Sequence, residues 1–297
     1  MKVVVTGGSG RIGRAVVAHL MGHGHGVLSL DQQPPAEASV PHRVLDLLDE
    51  TALRAALADA GAEAVCHLGE IPNVNRAPTP RAAYVINTQI GSLVMEAAID
   101  AGAKHVIYTS SCQVYGFWGG EQWPITPAKL PLTEDEPLQP QNAYGLSKVA
   151  NEMYGQQLAA RRQVSVTAFR FPAVLSEKQF GHWLDHRLAH GLKPIERSDM
   201  GTLVHVDDAA EAYRLALEAR PPGFEAFHFV DAEILCSRPA REMFLELYPA
   251  APLPQDWPPA AAPVSLEKAH RLLGWRPKHS MRQRYLAATQ DRVAAAG

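Results

Sequence analysis

Three cysteines, Cys66, Cys112 and Cys236, are all that a chain of 297 residues carries. Their odd number and scattered placement speak against a disulfide framework and suit a reducing cytoplasm. A basic excess is missing too. The 28 Lys and Arg stand against 31 Asp and Glu, a formal charge of −3, which argues against nucleic acid as a partner. No apolar run approaches the roughly 20 residues that a membrane span needs. Met1-Lys2-Val3-Val4-Val5 enters a strand directly, so no signal peptide is expected. Internal repeats are lacking. What is there has ordinary globular composition, 46% hydrophobic and 20% charged. The length suits a nucleotide-binding domain with a smaller lobe.

Through the first half, short apolar runs alternate with amphipathic stretches, the pattern of a parallel sheet covered by helices. Strands are expected at 2–6, 26–30, 42–45, 64–68, 106–110 and 164–170, and helices at 12–21, 51–60, 84–101 and 143–162. Proline-dense stretches at 72–80, 123–140 and 249–263 read as loops. The first two follow strands at their carboxyl ends, where open α/β sheets place ligands. After Arg170 the alternation loosens. The expected architecture is α/β, a Rossmann-like doubly wound parallel sheet with a small C-terminal substrate-binding lobe. Residues 1–170 form the sheet domain, with 202–220 returning to it, and 171–201 and 221–297 form the lobe, including a helix at 266–273.

Thr6-Gly7-Gly8-Ser9-Gly10-Arg11-Ile12-Gly13 follows the first strand and opens a helix. Gly7, Gly10 and Gly13 permit a tight turn and a close backbone approach to a diphosphate, while the helix start offers free N–H groups at Arg11 and Ile12. A glycine turn chosen only for packing does not need this spacing. Asp31, ending the second strand, can accept from ribose hydroxyls and repels a 2′-phosphate, so NAD is expected over NADP. Asp46, after the third strand, can accept from an adenine amino group.

Tyr144 and Lys148 lie four residues apart at the start of a helix, on one face. A phenol is a poor base at neutral pH, and a neighbouring cation stabilises its phenolate. The strand at 106–110 runs into Ser111-Cys112-Gln113-Val114-Tyr115-Gly116, which brings hydroxyls to its carboxyl end. These motifs together resemble the extended short-chain dehydrogenase/reductase family, the NAD-dependent epimerase/dehydratase group. The likeness spans essentially the whole chain, through Asp46-Leu47, His67-Leu68-Gly69-Glu70, Tyr84-Val85-Ile86-Asn87, Leu203-Val204-His205-Val206-Asp207-Asp208 and Leu273-Gly274-Trp275-Arg276-Pro277.

The resemblance implies Tyr144 as general acid/base, and Lys148 as the cation that tunes it and holds the nicotinamide ribose. Ser111, four residues before Tyr115, is the implied substrate-orienting hydroxyl, ahead of Ser110. Leu68 and Gly69 are implied to run beside NAD, and Asn87 to seat it. Glu70, Ser111, Cys112, Gln113 and Ala173 are the candidate substrate contacts. His205 to Asp208 is implied to tie the second lobe to the first, and a cytoplasmic homodimer is the default. The implied activity is hydride transfer at a secondary alcohol or ketone of a sugar, sugar acid or small polyol derivative. The alternatives are a nucleotide-sugar 4-epimerase with tightly bound NAD and a non-catalytic NAD(H)-sensing protein. The sensor needs none of Ser111, Tyr144 and Lys148. Against the nucleotide sugar, relatives of that type carry arginines where this chain has Gly201 and Pro254-Gln255, and an asparagine where it has Ala173. Arg187, Arg197, Arg238 or Arg241 could supply a displaced clamp.

His19, His23 and His25 crowd one loop without a nearby cysteine or carboxylate, so no metal site is expected. His182, His186 and His190 read as one helix face. Cys112 reads as a small buried residue rather than a reactive thiol. The aromatic stretch 117–123 reads equally as a substrate lid or a packed surface loop.

Overall fold

The structure, a computed structural model, describes every residue except 118–124, 197–198 and 297. The lid reading of 117–123 therefore lies, but for Phe117, outside the described residues, as does Arg197. Among the described residues no helix is long and apolar enough to cross a membrane.

Seven parallel strands form one sheet in the order β3-β2-β1-β4-β5-β6-β9. They are β1 (Lys2–Thr6), β2 (Gly26–Asp31), β3 (His42–Val44), β4 (Ala64–His67), β5 (His105–Ser111), β6 (Ser165–Phe171) and β9 (Phe224–His228). Two short strands, β7 (Ala173–Leu175) and β8 (Leu203–His205), pair apart from it. The β-branched run of β1 explains its central place. Val3 and Val5 face one apolar layer and Val4 the other, so both faces are buried. One layer holds α1 (Arg11–Gly22) and α6 (Val206–Ala219), through Val16, Leu20 and Tyr213. The other holds α2 (Glu50–Ala60), α3 (Pro80–Asp100) and α4 (Ala143–Arg162), through Leu57, Val94 and Leu158. Strand order reverses between β1 and β4, and such a switch point opens a crevice at the carboxyl ends of the strands.

The sheet and the four expected helices are present, with two differences. Helix α3 starts four residues before Tyr84, because Thr79 Oγ1 caps Ala82 N at 3.1 Å and Pro80 occupies the first turn, where its missing N–H costs nothing. Strand β9 comes from the stretch read as substrate lobe, yet it hydrogen-bonds β6 as the seventh strand of the main sheet.

The remaining helices are α5 (Glu177–His190), α7 (Ala240–Leu247), α8 (Glu267–Leu273) and α9 (Met281–Ala296). A third apolar cluster, with Met200, Phe244, Tyr248 and Trp257, backs the region beyond β5. Asp208 fastens the C-terminal segment to α6. Its carboxylate accepts from Lys278 N and His279 N at 3.0 and 2.9 Å, and its carbonyl accepts from Trp275 Nε1 at 2.9 Å.

Candidate functional site

The glycine turn closes on the next strand's exit. Gly7 has φ +74°, and a Cβ there would stand 2.6 Å from Gly69 N; at Gly13 a Cβ would reach Gly7 O at 2.0 Å. Only glycine fits either place, so β1 and the loop after β4 touch backbone to backbone. No side chain caps α1 and its first turn holds no acid. Its opening N–H groups, at Arg11, Ile12 and Gly13, are therefore presented to the crevice as anion donors. Asp31 Oδ2 accepts from Ser9 N and Oδ1 from Gln33 N, both at 3.0 Å, which fixes the carboxylate at the loop's edge with lone pairs to spare. Gly7 and Asp31 line a cavity of about 480 Å³ with Gly10, Asp46, Leu47, Leu68, Gly69, Glu70, Ile71 and Arg76. The size and the donor set fit a dinucleotide. A larger open cavity, about 660 Å³ beside Glu134 and Lys268, holds none of these groups.

At the other end of the crevice, Asn142 caps α4 by accepting from Gly145 N at 2.8 Å, and Tyr144 sits in the first turn, 8% exposed. Lys148, one turn on, has its Nζ 5.3 Å from the centre of the Tyr144 ring and donates to Thr109 O at 2.7 Å. The strand pleat separates the two serines. Ser110 Oγ is taken up by the buried Glu152, to which it donates at 2.5 Å. Ser111 Oγ, at the strand's end, accepts from Gln113 N at 3.2 Å and makes a long 3.5 Å bond to Phe171 O, so it retains capacity for a ligand.

Glu70 carries the largest surprise. Its carboxylate is 4% exposed and pairs with the Lys148 ammonium. It also accepts from Asn151 Nδ2 at 3.0 Å and Tyr108 OH at 3.2 Å, and His67 Nε2 lies 3.4 Å away. Thr6 Oγ1 meets His67 Nδ1 at 2.6 Å. Burial pushes the Glu70 carboxyl upward, but Lys148 and His67 outweigh it and hold it below the usual range. Burial pulls the Lys148 ammonium down, and Glu70 and Tyr144 more than restore it. Tyr108 and Asn151 went unselected in the sequence, and His67 entered only as part of the motif His67-Leu68-Gly69-Glu70, without a role. Asn151 alone left a local signal, three residues from Lys148 on the same helix face.

The other expected contacts lie in varied surroundings. Glu70 faces the lysine rather than open space. Cys112 is fully buried and donates to Arg170 O at 3.2 Å, and burial pushes its thiol far up, as suits a small buried residue rather than a reactive thiol. Gln113 accepts from Asn142 Nδ2 at 2.9 Å. Asn87 reaches the crevice only through backbone, clasping Ile71 N and O at 2.8 and 3.0 Å. Asp46 Oδ1 accepts from Leu48 N at 2.9 Å, and Ala173 lies exposed on β7. The carboxylate that the loop histidines lacked exists: Glu211, on α6, stands 2.8 Å from His19 Nε2, with His23 alongside. Arg214 holds both of its oxygens, at 2.7 and 2.8 Å, which makes it an ion-pair cluster.

Over residues 3–228 the sequence matches the NAD dependent epimerase/dehydratase family. A UDP-glucose 4-epimerase of Corynebacterium glutamicum is 28% identical over 94% of this chain and 92% of its own. An NAD-dependent glucose-6-phosphate dehydrogenase of Haloferax volcanii is 30% identical over 62% of this chain and 76% of its own. The fold superposes, at a TM-score of 0.71 and 23% identity, on a short-chain dehydrogenase/reductase superfamily protein of Agrobacterium tumefaciens with bound NAD, covering 99% of this chain and 98% of that one.

Proposed function

The chain belongs to the NAD-dependent epimerase/dehydratase family, and on that premise we propose that it moves a hydride between NAD and a secondary alcohol carbon of a sugar, sugar acid or small polyol derivative. The reading rests on one juxtaposition: the Lys148 ammonium stands over the Tyr144 ring and on the Thr109 carbonyl, two residues before Ser111 on the same strand, while the start of α1 is left uncapped. The N–H groups of the α1 turn would hold the diphosphate, Asp31 the adenosine ribose, and Leu68 and Gly69 the wall beside the cofactor. NAD, when bound, accepts the hydride. Ser111 would hold the reacting oxygen, the Tyr144 phenolate would take its proton and become the phenol, and Lys148 would steady that phenolate before the transfer and hold the ribose.

A small substrate is favoured by how the lobe is filled. The cavity beside Gly201 measures only about 30 Å³. Gly201 packs against Ile195 and Ile234, Arg238 is spent on Glu246, and Arg241 on Pro254 O. A nucleoside diphosphate needs arginine forks and more room. The second reading, a nucleotide-sugar epimerase, draws on the full-length likeness to the Corynebacterium enzyme. Thermal-shift screening with galacturonate, glucuronate and aldonates beside UDP, dTDP and GDP, each with NAD or NADP, separates them. Shifts with an acid and with NAD alone are expected. Micromolar binding of a nucleoside diphosphate without response to any acid restores the epimerase, and equal response to NADP removes Asp31 from the ribose site.

A homodimer through α3 and α4 is part of the same reading, since Val85, Leu146 and Met153 are 41%, 47% and 62% exposed on those helices. Sedimentation at micromolar concentration is expected to give twice the chain mass, and Met153→Glu to give the monomer. A monomeric wild type removes this surface from the argument.

A further inference from the structure

The Lys148 ammonium is the charge expected to act on the Tyr144 phenol, yet it does not stand alone. Lys148 and Glu70 are both about 4% exposed, so their pair is sealed from solvent. The carboxylate is also fully engaged. From β4 it meets His67, from β5 Tyr108, and from α4 Lys148 and Asn151; beyond His67 stands Thr6 of β1. Three donors around one buried carboxylate, with the His67 ring 3.4 Å away, keep it ionised and immobile. The lysine itself also faces the Tyr108 ring at 4.9 Å, and Tyr144 and Glu152 on α4 act on its charge. Among the described groups that act most on the lysine, none is a second lysine or arginine.

We propose that Glu70 is a positioning residue for the Tyr144–Lys148 pair: its carboxylate pins the ammonium against β5 and offsets the positive charge that reaches the phenol. It deepens the proposed function and rests on Tyr144 being its acid/base. The pair then presents little net charge to the phenol, and proton removal moves to higher pH than a lone lysine would set. The fixed ammonium in turn keeps its place on the Thr109 carbonyl, ready for a ribose hydroxyl.

The test needs no substrate. Ultraviolet titration of tyrosinate is recorded for the NAD-free protein and for Glu70→Gln, each against its own Tyr144→Phe counterpart, so that only the Tyr144 band remains. In Glu70→Gln that band is expected to develop at least about one pH unit lower, the usual reach of an unopposed charge at this range. Glu70→Asp, which keeps the charge, is expected to stay near the wild type. If Glu70→Gln does not fold, the double variant Glu70→Gln/Lys148→Met replaces the pair with neutral groups. Its band is expected within about half a pH unit of wild type, while Lys148→Met alone moves up by at least about one unit. An unchanged band in Glu70→Gln, or a double variant titrating as high as Lys148→Met, overturns the proposal. Failure of the underlying reading shows elsewhere, as turnover that survives Tyr144→Phe with the Glu70 titration intact.

Discussion

Tyr144→Phe is expected to lower turnover at least ~100-fold while the melting temperature and NAD affinity stay close to wild type. The substitution removes one oxygen and nothing else. The ring remains packed at the start of α4, where the helix is capped by Asn142 and not by the tyrosine. Lys148 stays anchored to Glu70 and Thr109, so the cofactor's ribose partner does not move. Only the group that takes the alcohol proton is lost. Such a contribution belongs to the transition state, so kcat is expected to fall while KM moves little. The measurement uses whichever acid or sugar reduces NAD with the wild type. A variant retaining more than about a tenth of that rate assigns the proton to another group.

The parts of this site that the sequence made legible are those coded within a few residues. Gly7 to Gly13 form one turn, Tyr144 and Lys148 one helix face, and Ser111 one strand end. Strands buried on both faces, such as β1 and β5, were equally plain, because continuous β-branched runs have few other homes. The environment of Lys148 was not legible. Glu70 lies 38 residues from Tyr108 and 81 from Asn151, and only the strand order brings them together. The same holds for His19 and Glu211, 192 residues apart. Strand β9 escaped for another reason. Five residues, Phe-Glu-Ala-Phe-His, follow a helix in a stretch without regular alternation, and β6 decides their place. Asn87 shows a third limit: a residue can serve a crevice through a neighbour's backbone, which no spacing announces.

Glu152→Ala is expected to cost about 3–5 kcal/mol of stability. Glu152 and Arg170 are 3% and 4% exposed and joined twice, Arg170 Nε to Oε1 at 3.1 Å and Nη2 to Oε2 at 2.7 Å. Arg170 also donates to Tyr115 OH at 2.5 Å and Glu134 O at 2.8 Å, and Tyr115 OH meets His228 Nε2 at 2.6 Å. His228 adds no second positive charge there, because burial first and the Arg170 charge second push its pKa down to about 3 and keep it neutral. Alanine therefore strands a buried guanidinium beside a neutral imidazole and frees Ser110 Oγ, which had donated to the lost carboxylate. The exposed pair Arg43–Asp59, 45% and 62% exposed, provides the control, since breaking it is expected to cost less than about 1 kcal/mol. Urea unfolding reads both, provided the dependence on urea keeps its slope. Glu152→Met/Arg170→Met should recover much of the loss, because a buried pair replaced as a whole leaves no orphan charge. A double variant as unstable as the single would locate the cost in lost packing, and a single costing under about 1 kcal/mol would mean that water reaches Arg170.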